Sequence, residues 1–159
     1  GSEMCIRDRL YREEGEVPEE LYSVPLGKGI IRRRGKDITL LATSCMVTKA
    51  LNAASSLGAD GIDVEVIDLR SLKPLDEELL LASVKKTGKL VIADGGWKTC
   101  GVSAELAALV IERAFSCLKA PIVRVALPDA PAPASAALER MYYPDAKDIA
   151  LAVRRLYEV

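Results

Sequence analysis

The run Gly61-Ile62-Asp63-Val64-Glu65-Val66-Ile67-Asp68-Leu69-Arg70-Ser71-Leu72-Lys73-Pro74-Leu75-Asp76 constrains the fold more than any other stretch of the chain. A loop glycine leads into Val64, Val66, Ile67 and Leu69, an apolar, β-branched run of strand length. Lys73-Pro74 then stops it, because proline has no amide to give to a ladder. The run reads as a central strand of a parallel sheet. Asp63, Glu65 and Asp68 interrupt it, and since charges on strands usually face water they are expected at loops or strand edges, without marking chemistry.

The rest of the chain repeats strand, turn and helix. Gly29 to Arg34 reads as a short charged strand and Gly35-Lys36-Asp37 as a tight turn; arginines on such a strand suit a sheet edge, where they discourage pairing with another chain. Arg32 to Arg34 could instead clamp a phosphate, but no glycine-rich turn feeding a helix N-terminus adjoins them. Ile38 to Thr43 is a second strand, followed by a helix over Met46–Leu57 with Ser44 as N-cap and Gly58 as C-cap. Asp76 caps a helix running to about Lys86, with Leu79, Leu80 and Val84 on its inner face and Gly88 ending it. Leu90 to Asp94 is a buried strand, Val102 to Leu118 a strong helix, and Ile122 to Leu127 the last strand. The proline-rich Pro128 to Ala134 precedes a short helix at Ser135–Met141, and Asp145 starts a final helix packed through Ile149, Val153 and Leu156. One edge strand and four buried strands alternating with helices require a parallel sheet covered on both faces, a three-layer α/β/α sandwich.

Composition removes several functions. Twenty-two basic and 23 acidic residues give a net charge of −1, so there is no electrostatic footprint for nucleic acid or an anionic membrane. Apolar runs such as Leu106 to Ile111 are far too short to span a bilayer. The chain has no histidine, which eliminates Ser-His-Asp and Cys-His catalysis and histidine metal sites. Cys5, Cys45, Cys100 and Cys117 form no C-x-x-C pair, so reduced and mostly buried thiols are expected. No G-x-G-x-x-G follows any strand, and Thr43-Ser44-Cys45-Met46 is a thin phosphate-loop candidate.

Two stretches remain as candidate sites. Asp94-Gly95-Gly96-Trp97-Lys98-Thr99-Cys100-Gly101 follows a strand directly, where open α/β sheets place ligands, and it carries the chain's one tryptophan. It can be a glycine turn whose Trp97 caps the core edge, a protein contact using Trp97 and Lys98, or a small-molecule loop. In the helix from Val102, Leu106, Leu109, Val110, Ala114 and Cys117 make a core stripe. Ala104, Ala107, Ala108 and Ile111 extend apolarity round to other faces, as expected of a helix at a subunit or domain interface.

Val24-Pro25-Leu26-Gly27-Lys28, Asp37 to Ala42 with Met46-Val47, and Glu65 to Asp76 together resemble the carboxy-terminal domain of the β subunit of thiamine-diphosphate-dependent 2-oxo acid dehydrogenases, the pyruvate, branched-chain and acetoin enzymes. Gly95-Gly96-Trp97, Gly101 to Glu105, Ala120-Pro121 and Pro128-Asp129 continue the likeness. The resemblance implies a transketolase C-terminal-type fold, with a five-stranded mixed sheet whose first, edge strand near Ile30 to Arg33 runs antiparallel to the others. Residues 1–9, which open on Gly1-Ser2 and lack helical or strand periodicity, are read as a cloning or sequencing artefact; the resemblance then makes 10–25 an acidic linker arm and 26–159 the domain. It implies no catalytic, cofactor-binding or metal-binding residue here, because the family's thiamine-diphosphate motif, Gly-Asp-Gly and a distant Asn, is absent. Thiamine diphosphate and magnesium would belong to the full-length parent complex. The implied role is homodimerisation of the β subunit, alongside an α subunit, and docking to the subunit-binding domain of the lipoyl acyltransferase core. The interface residues would be Trp97, Lys98, Ala104, Ala107, Ala108, Ile111 and, at a charged rim, Val159. The implied location is the bacterial cytoplasm or the mitochondrial matrix. The competing reading is a small-ligand regulatory module binding at Gly95–Gly101.

Overall fold

A computed structural model describes residues 14–16 and 18–159. Residues 1–9 and the first part of the arm lie outside the described residues. Among the described residues there are five strands, β1 (Ile30–Arg33), β2 (Ile38–Ala42), β3 (Val64–Asp68), β4 (Leu90–Trp97) and β5 (Val123–Leu127), and five α-helices, α1 (Met46–Ala59), α2 (Glu77–Thr87), α3 (Val102–Ala114), α4 (Ala136–Tyr142) and α5 (Ala146–Tyr157), with a helix after each of β2, β3 and β4 and two after β5. The strands form one sheet in the order β1-β3-β2-β4-β5. β1 is antiparallel to β3 and the other neighbours are parallel, so the charged first strand is the antiparallel edge. α1 and α5 close one face over Leu40, Val64, Val66 and Val91. α2 and α3 close the other over Leu41, Ile67, Leu90 and Ile92. Burial of these side chains on both faces is the main favourable term holding the layers together.

The expected centre of the sheet is displaced by one strand. β3 stands second, between β1 and β2, and β2 is the middle strand, fully buried along its length. A strand-helix-strand crossover can place the next strand on either side of the last, so an apolar run shows burial without showing order. β5 is half-buried rather than buried, because it is the other edge of the sheet.

Glu65 departs furthest from expectation. Its side chain is only 1% exposed and turns toward α2, where it accepts hydrogen bonds from Ser83 Oγ at 2.5 Å and from Lys86 Nζ. Gly35 N approaches its other side at 3.5 Å. Burial pushes the carboxyl up, but the Lys86 and Ser83 hydrogen bonds and the Lys86 charge more than offset it, holding Glu65 below its ordinary value. Ser83 and Thr87 also flank Thr39 Oγ1, at 2.7 and 2.8 Å. A carboxylate can sit on a doubly covered strand because this polar cluster satisfies it.

The helix ends differ from the sequence reading where a turn had to be tight. Ser44 does not cap α1; it takes φ of 52° in the turn out of β2, and Cys45 is the N-cap residue. α1 passes through Gly58, and the left-handed residue that stops it is Gly61, at φ 78°, with Ile62 N returning to Leu57 O at 3.0 Å. α2 follows the expected design: Asp76 Oδ1 accepts from Leu79 N at 3.2 Å and Gly88 closes the helix at φ 76°. α3 stops at Ala114, and Phe115–Cys117 continues as a single 3-10 turn. Asp145 and Asp148 form a capping box at the start of α5.

The arginines of β1 split by face. Arg33 Nη1 donates to Ala54 O at 3.0 Å and Val64 O at 3.3 Å, fastening the edge strand to α1, while Arg32 and Arg34 are exposed. Arg33 therefore serves the fold and is not part of a phosphate clamp.

Candidate functional site

Every parallel strand ends toward the same edge of the sheet, and the loops gather there. β2, β3 and β4 are each followed by a non-glycine residue in the left-handed region, namely Ser44 at φ 52°, Arg70 at 59° and Cys100 at 55°. Such residues mark abrupt turns. The arm enters at the same edge, because Ile30, at the start of antiparallel β1, faces Asp68 at the end of β3.

β4 is longer than its sequence suggests. Gly95, Gly96 and Trp97 belong to the strand, with a register shift between Ala93 and Trp97 that brings Trp97 opposite Leu127. Lys98 N extends the ladder to Leu127 O at 3.0 Å. The glycine stretch therefore begins as a bulged strand and becomes a loop only from Lys98.

Asp94 holds this turn. It is 6% exposed; Oδ1 accepts from Gly96 N at 2.9 Å and Oδ2 from Ser103 N, in the first turn of α3, at 3.1 Å. The helix N-terminus thus answers the buried charge. A methyl at Gly101 would stand 2.0 Å from Trp97 O, so glycine is required for so close a return. Ser103 Oγ is the one buried side-chain polar atom among the described residues left without a hydrogen-bond partner.

Trp97 is half-exposed and tethers the segment after β5. Its Nε1 donates to Tyr142 Oη at 3.0 Å, and Tyr142 Oη donates to Ala130 O at 2.6 Å. Beside it, Thr99 N and Oγ1 donate to the two oxygens of Asp129 at 3.1 and 2.6 Å. These Thr99 hydrogen bonds, with Lys98 and Arg124 nearby, hold the Asp129 carboxyl below its ordinary range. The side chains here are spent on loop architecture; no group is set against a second as nucleophile and base.

The expected interface residues do not form one patch. Trp97 and exposed Lys98 lie at the strand carboxyl ends. On α3, Ala104 and Ala107 are half-buried, Ala107 packing against the core, while Ala108 and Ile111 face out. Val159 follows α5, on the opposite face of the sheet and at its opposite end, where Lys89 Nζ meets Tyr157 O at 3.0 Å. Two exposed groups were missed. Phe115, 70% exposed, continues the spacing of Ala104, Ala108 and Ile111 and was readable from it. Leu138 and Met141 project from α4 at 55% and 84% exposure; their spacing of three in a short helix was the available signal.

Fold and surface define a doubly covered α/β domain whose loops gather at the strand carboxyl ends and whose exposed residues include several large apolar side chains. The chain belongs to the transketolase C-terminal domain family, whose model matches residues 27–149. It is 43% identical over 151 residues to the acetoin:2,6-dichlorophenolindophenol oxidoreductase subunit beta of Cupriavidus necator, covering 95% of this chain and 45% of that protein. It is 45% identical over 150 residues to the mitochondrial pyruvate dehydrogenase E1 component subunit beta-1 of Arabidopsis thaliana, covering 92% of this chain and 41% of that protein. A solved split gene transketolase, an inactive beta4 tetramer, superposes with a TM-score of 0.76 at 33% identity, over 92% of this chain and 46% of that one. The chain thus spans less than half the length of each relative. Among the described residues no helix is long and apolar enough to cross a membrane.

Proposed function

We propose that this domain is a non-catalytic assembly module of a 2-oxo acid dehydrogenase decarboxylase β subunit. In this reading residues 26–159 are the module and 10–25 its linker arm. The module pairs β subunits, stands beside an α subunit, and helps to present a surface to the subunit-binding domain of the lipoyl acyltransferase core. The observation that carries the reading is α3. Its inner side packs Leu106 and Val110 into the core, yet its outer side carries Ala108 and Ile111 at 45% exposure, and the 3-10 turn that follows adds Phe115 at 70%. An apolar outer stripe of that length has no role in a lone domain and is suited to burial against a second copy. The names of the relatives support an oxidoreductase parent; thiamine diphosphate as its cofactor, and the bacterial cytoplasm or the mitochondrial matrix as its location, are part of this proposal.

The residues present do not fit thiamine diphosphate and its magnesium. Among the described residues no three Cys, Asp or Glu side chains stand where they could share a metal ion, and the oxygens of buried Asp94 are engaged by backbone amides. No chemical step is therefore assigned to this domain, and which 2-oxo acid or acetoin the parent acts on is decided elsewhere.

Sedimentation equilibrium tests the pairing. The chain should associate with concentration, and Ile111→Asp combined with Phe115→Asp, both at exposed positions, should return it to a monomer of unchanged circular dichroism. A chain that stays monomeric up to about 0.1 mM, an association weaker than about −5.5 kcal/mol, or a double variant that associates as before, overturns the reading.

A further inference from the structure

An aspartate followed by glycine is among the dipeptides most prone to rearrange in water without an enzyme. The glycine nitrogen attacks the side-chain carboxyl carbon of the aspartate, and a glycine, having no Cβ, leaves that nitrogen unshielded. The chain has two such pairs, Asp60-Gly61 and Asp94-Gly95, and its one asparagine, Asn52, precedes an alanine within α1. The fold gives the two pairs unlike surroundings. Asp94 is 6% exposed and both of its oxygens accept backbone amides. Gly95 lies within β4, where an added Cβ would stand 3.9 Å from Met46 Cγ. Asp60 follows α1 in the turn to β3, its side chain 44% exposed, and an added Cβ at Gly61 would meet nothing within 4 Å. Exposed turns of this kind are where a folded backbone opens most readily.

We propose that Asp60 is a modification site, the place where this chain forms isoaspartate, and that Arg154 of α5 restrains the reaction. Arg154 Nε and Nη2 both donate to Asp60 Oδ2, at 2.9 and 2.7 Å, a charge-assisted pair that holds the carboxylate toward α5. The nucleophile is held as well, since Gly61 N donates to Gly58 O at 3.2 Å. Reaction begins when the turn opens and frees both groups. In the carboxylic acid form, the Gly61 nitrogen bonds to Asp60 Cγ and loses its proton. The carboxyl hydroxyl leaves as water, closing a succinimide ring. One water then reopens the ring. Addition at Cγ restores Asp60, whereas addition at the backbone carbonyl carbon of Asp60 breaks its bond to Gly61 N and leaves the chain running through Cβ and Cγ. Mass is unchanged and water is the only co-reactant. The product carries its carboxylate on Cα and has one more methylene in the backbone. That methylene falls between Asp60 N and Ile62 N, both of which return to Leu57 O at 3.0 Å, so the turn into β3 and the clasp to Arg154 are both disturbed. The site lies on the face closed by α1 and α5, away from the outer stripe of α3, and does not depend on pairing along that stripe.

The test ages the 159-residue chain at physiological temperature and mildly acid pH, folded and in urea. Isoaspartate is located by electron-transfer fragmentation of its peptides and counted by enzymatic carboxyl methylation with a labelled methyl donor. In urea the two pairs should convert at similar rates. In the folded chain Asp60 should convert at least about tenfold faster than Asp94, because the opening that frees Asp94 costs more. Arg154→Leu should speed conversion at Asp60 about two- to fivefold, the range an exposed ion pair allows, with Asp94 unchanged. The isoaspartyl fraction of the unaltered chain, separated by ion exchange, should melt below the rest. Equal conversion at the two pairs in the folded chain overturns the proposal, as does a folded Asp60 that stays intact while the chain in urea reaches its plateau. So does an Arg154→Leu rate at Asp60 that is unchanged, or one that rises only in step with Asp94, which marks general loosening of the fold. The comparison of folded and unfolded unaltered chain stands whether or not Arg154→Leu folds. None of these outcomes bears on whether Ile111→Asp with Phe115→Asp dissociates a dimer.

Discussion

Replacing Lys86 with methionine keeps the aliphatic stem and removes the ammonium that meets Glu65. Glu65 is 1% exposed and Lys86 44%. Breaking a fully buried pair by removing one partner costs about 3–5 kcal/mol. Here Lys86 is nearly half in water, and Ser83 still donates to the carboxylate, so the expected loss at pH 7 is about 2 kcal/mol. For a domain of this size that lowers the melting midpoint by about 4–8 °C. The pH dependence carries the sharper signature. In the unaltered protein the folded-state value of Glu65 lies below the ordinary 4.5, so its contribution is present above that value and is lost as pH falls through the folded one. In Lys86→Met the ammonium's hydrogen bond and charge are gone, so burial, the largest influence on the carboxyl, is opposed only by the Ser83 and Gly35 hydrogen bonds and the folded value rises. The variant is then penalised most where Glu65 is ionised and relieved as it protonates. Urea unfolding followed by circular dichroism should show the full gap at pH 7 and a closing gap toward about pH 4. A gap under about 0.5 kcal/mol at pH 7, the ordinary range for a surface substitution, or a gap of constant size across that range, refutes the role given to this pair.

Gly35→Ala should cost at least about 2 kcal/mol, because its methyl would stand 2.3 Å from Glu65 N and Val64 C; Gly15→Ala, with nothing within 4 Å, should leave the midpoint unchanged. Equal midpoints for the two variants would contradict the close approach of the β1–β2 turn to β3. Trp97→Phe removes the Nε1 donor to Tyr142 while Tyr142 keeps Ala130, a change worth about 1 kcal/mol. Amides of residues 128–143 should then exchange several-fold faster with those of β2 unchanged; unaltered rates would show that Trp97 is not the tether.

Much of this domain was legible before its structure. Val64 to Leu69, Leu90 to Ala93 and Ile38 to Ala42 announce buried strands because both of their faces are apolar. Asp76 and Gly88 announce the ends of α2 because capping is local chemistry, decided within one turn. The candidate site was less legible. Trp97 and the outer face of α3 were visible as apolar residues out of place, but Phe115, Leu138 and Met141 were not singled out. Their spacing offered a signal, but surface exposure depends on what packs nearby, which spacing alone does not decide.

The sequence by itself determined the alternation of strands and helices, the two covered faces, the charged edge strand and the family, since periodicity, capping and motif order are properties of neighbouring residues. Only the tertiary structure decided that β2, not β3, is the middle strand, because a crossover helix can deliver its strand to either side. It alone decided that Glu65 is buried, because the Ser83 and Lys86 that satisfy it arrive from another element. It also gathered the arm, Trp97 and α4 at one edge of the sheet, where segments remote in sequence leave an apolar surface in common.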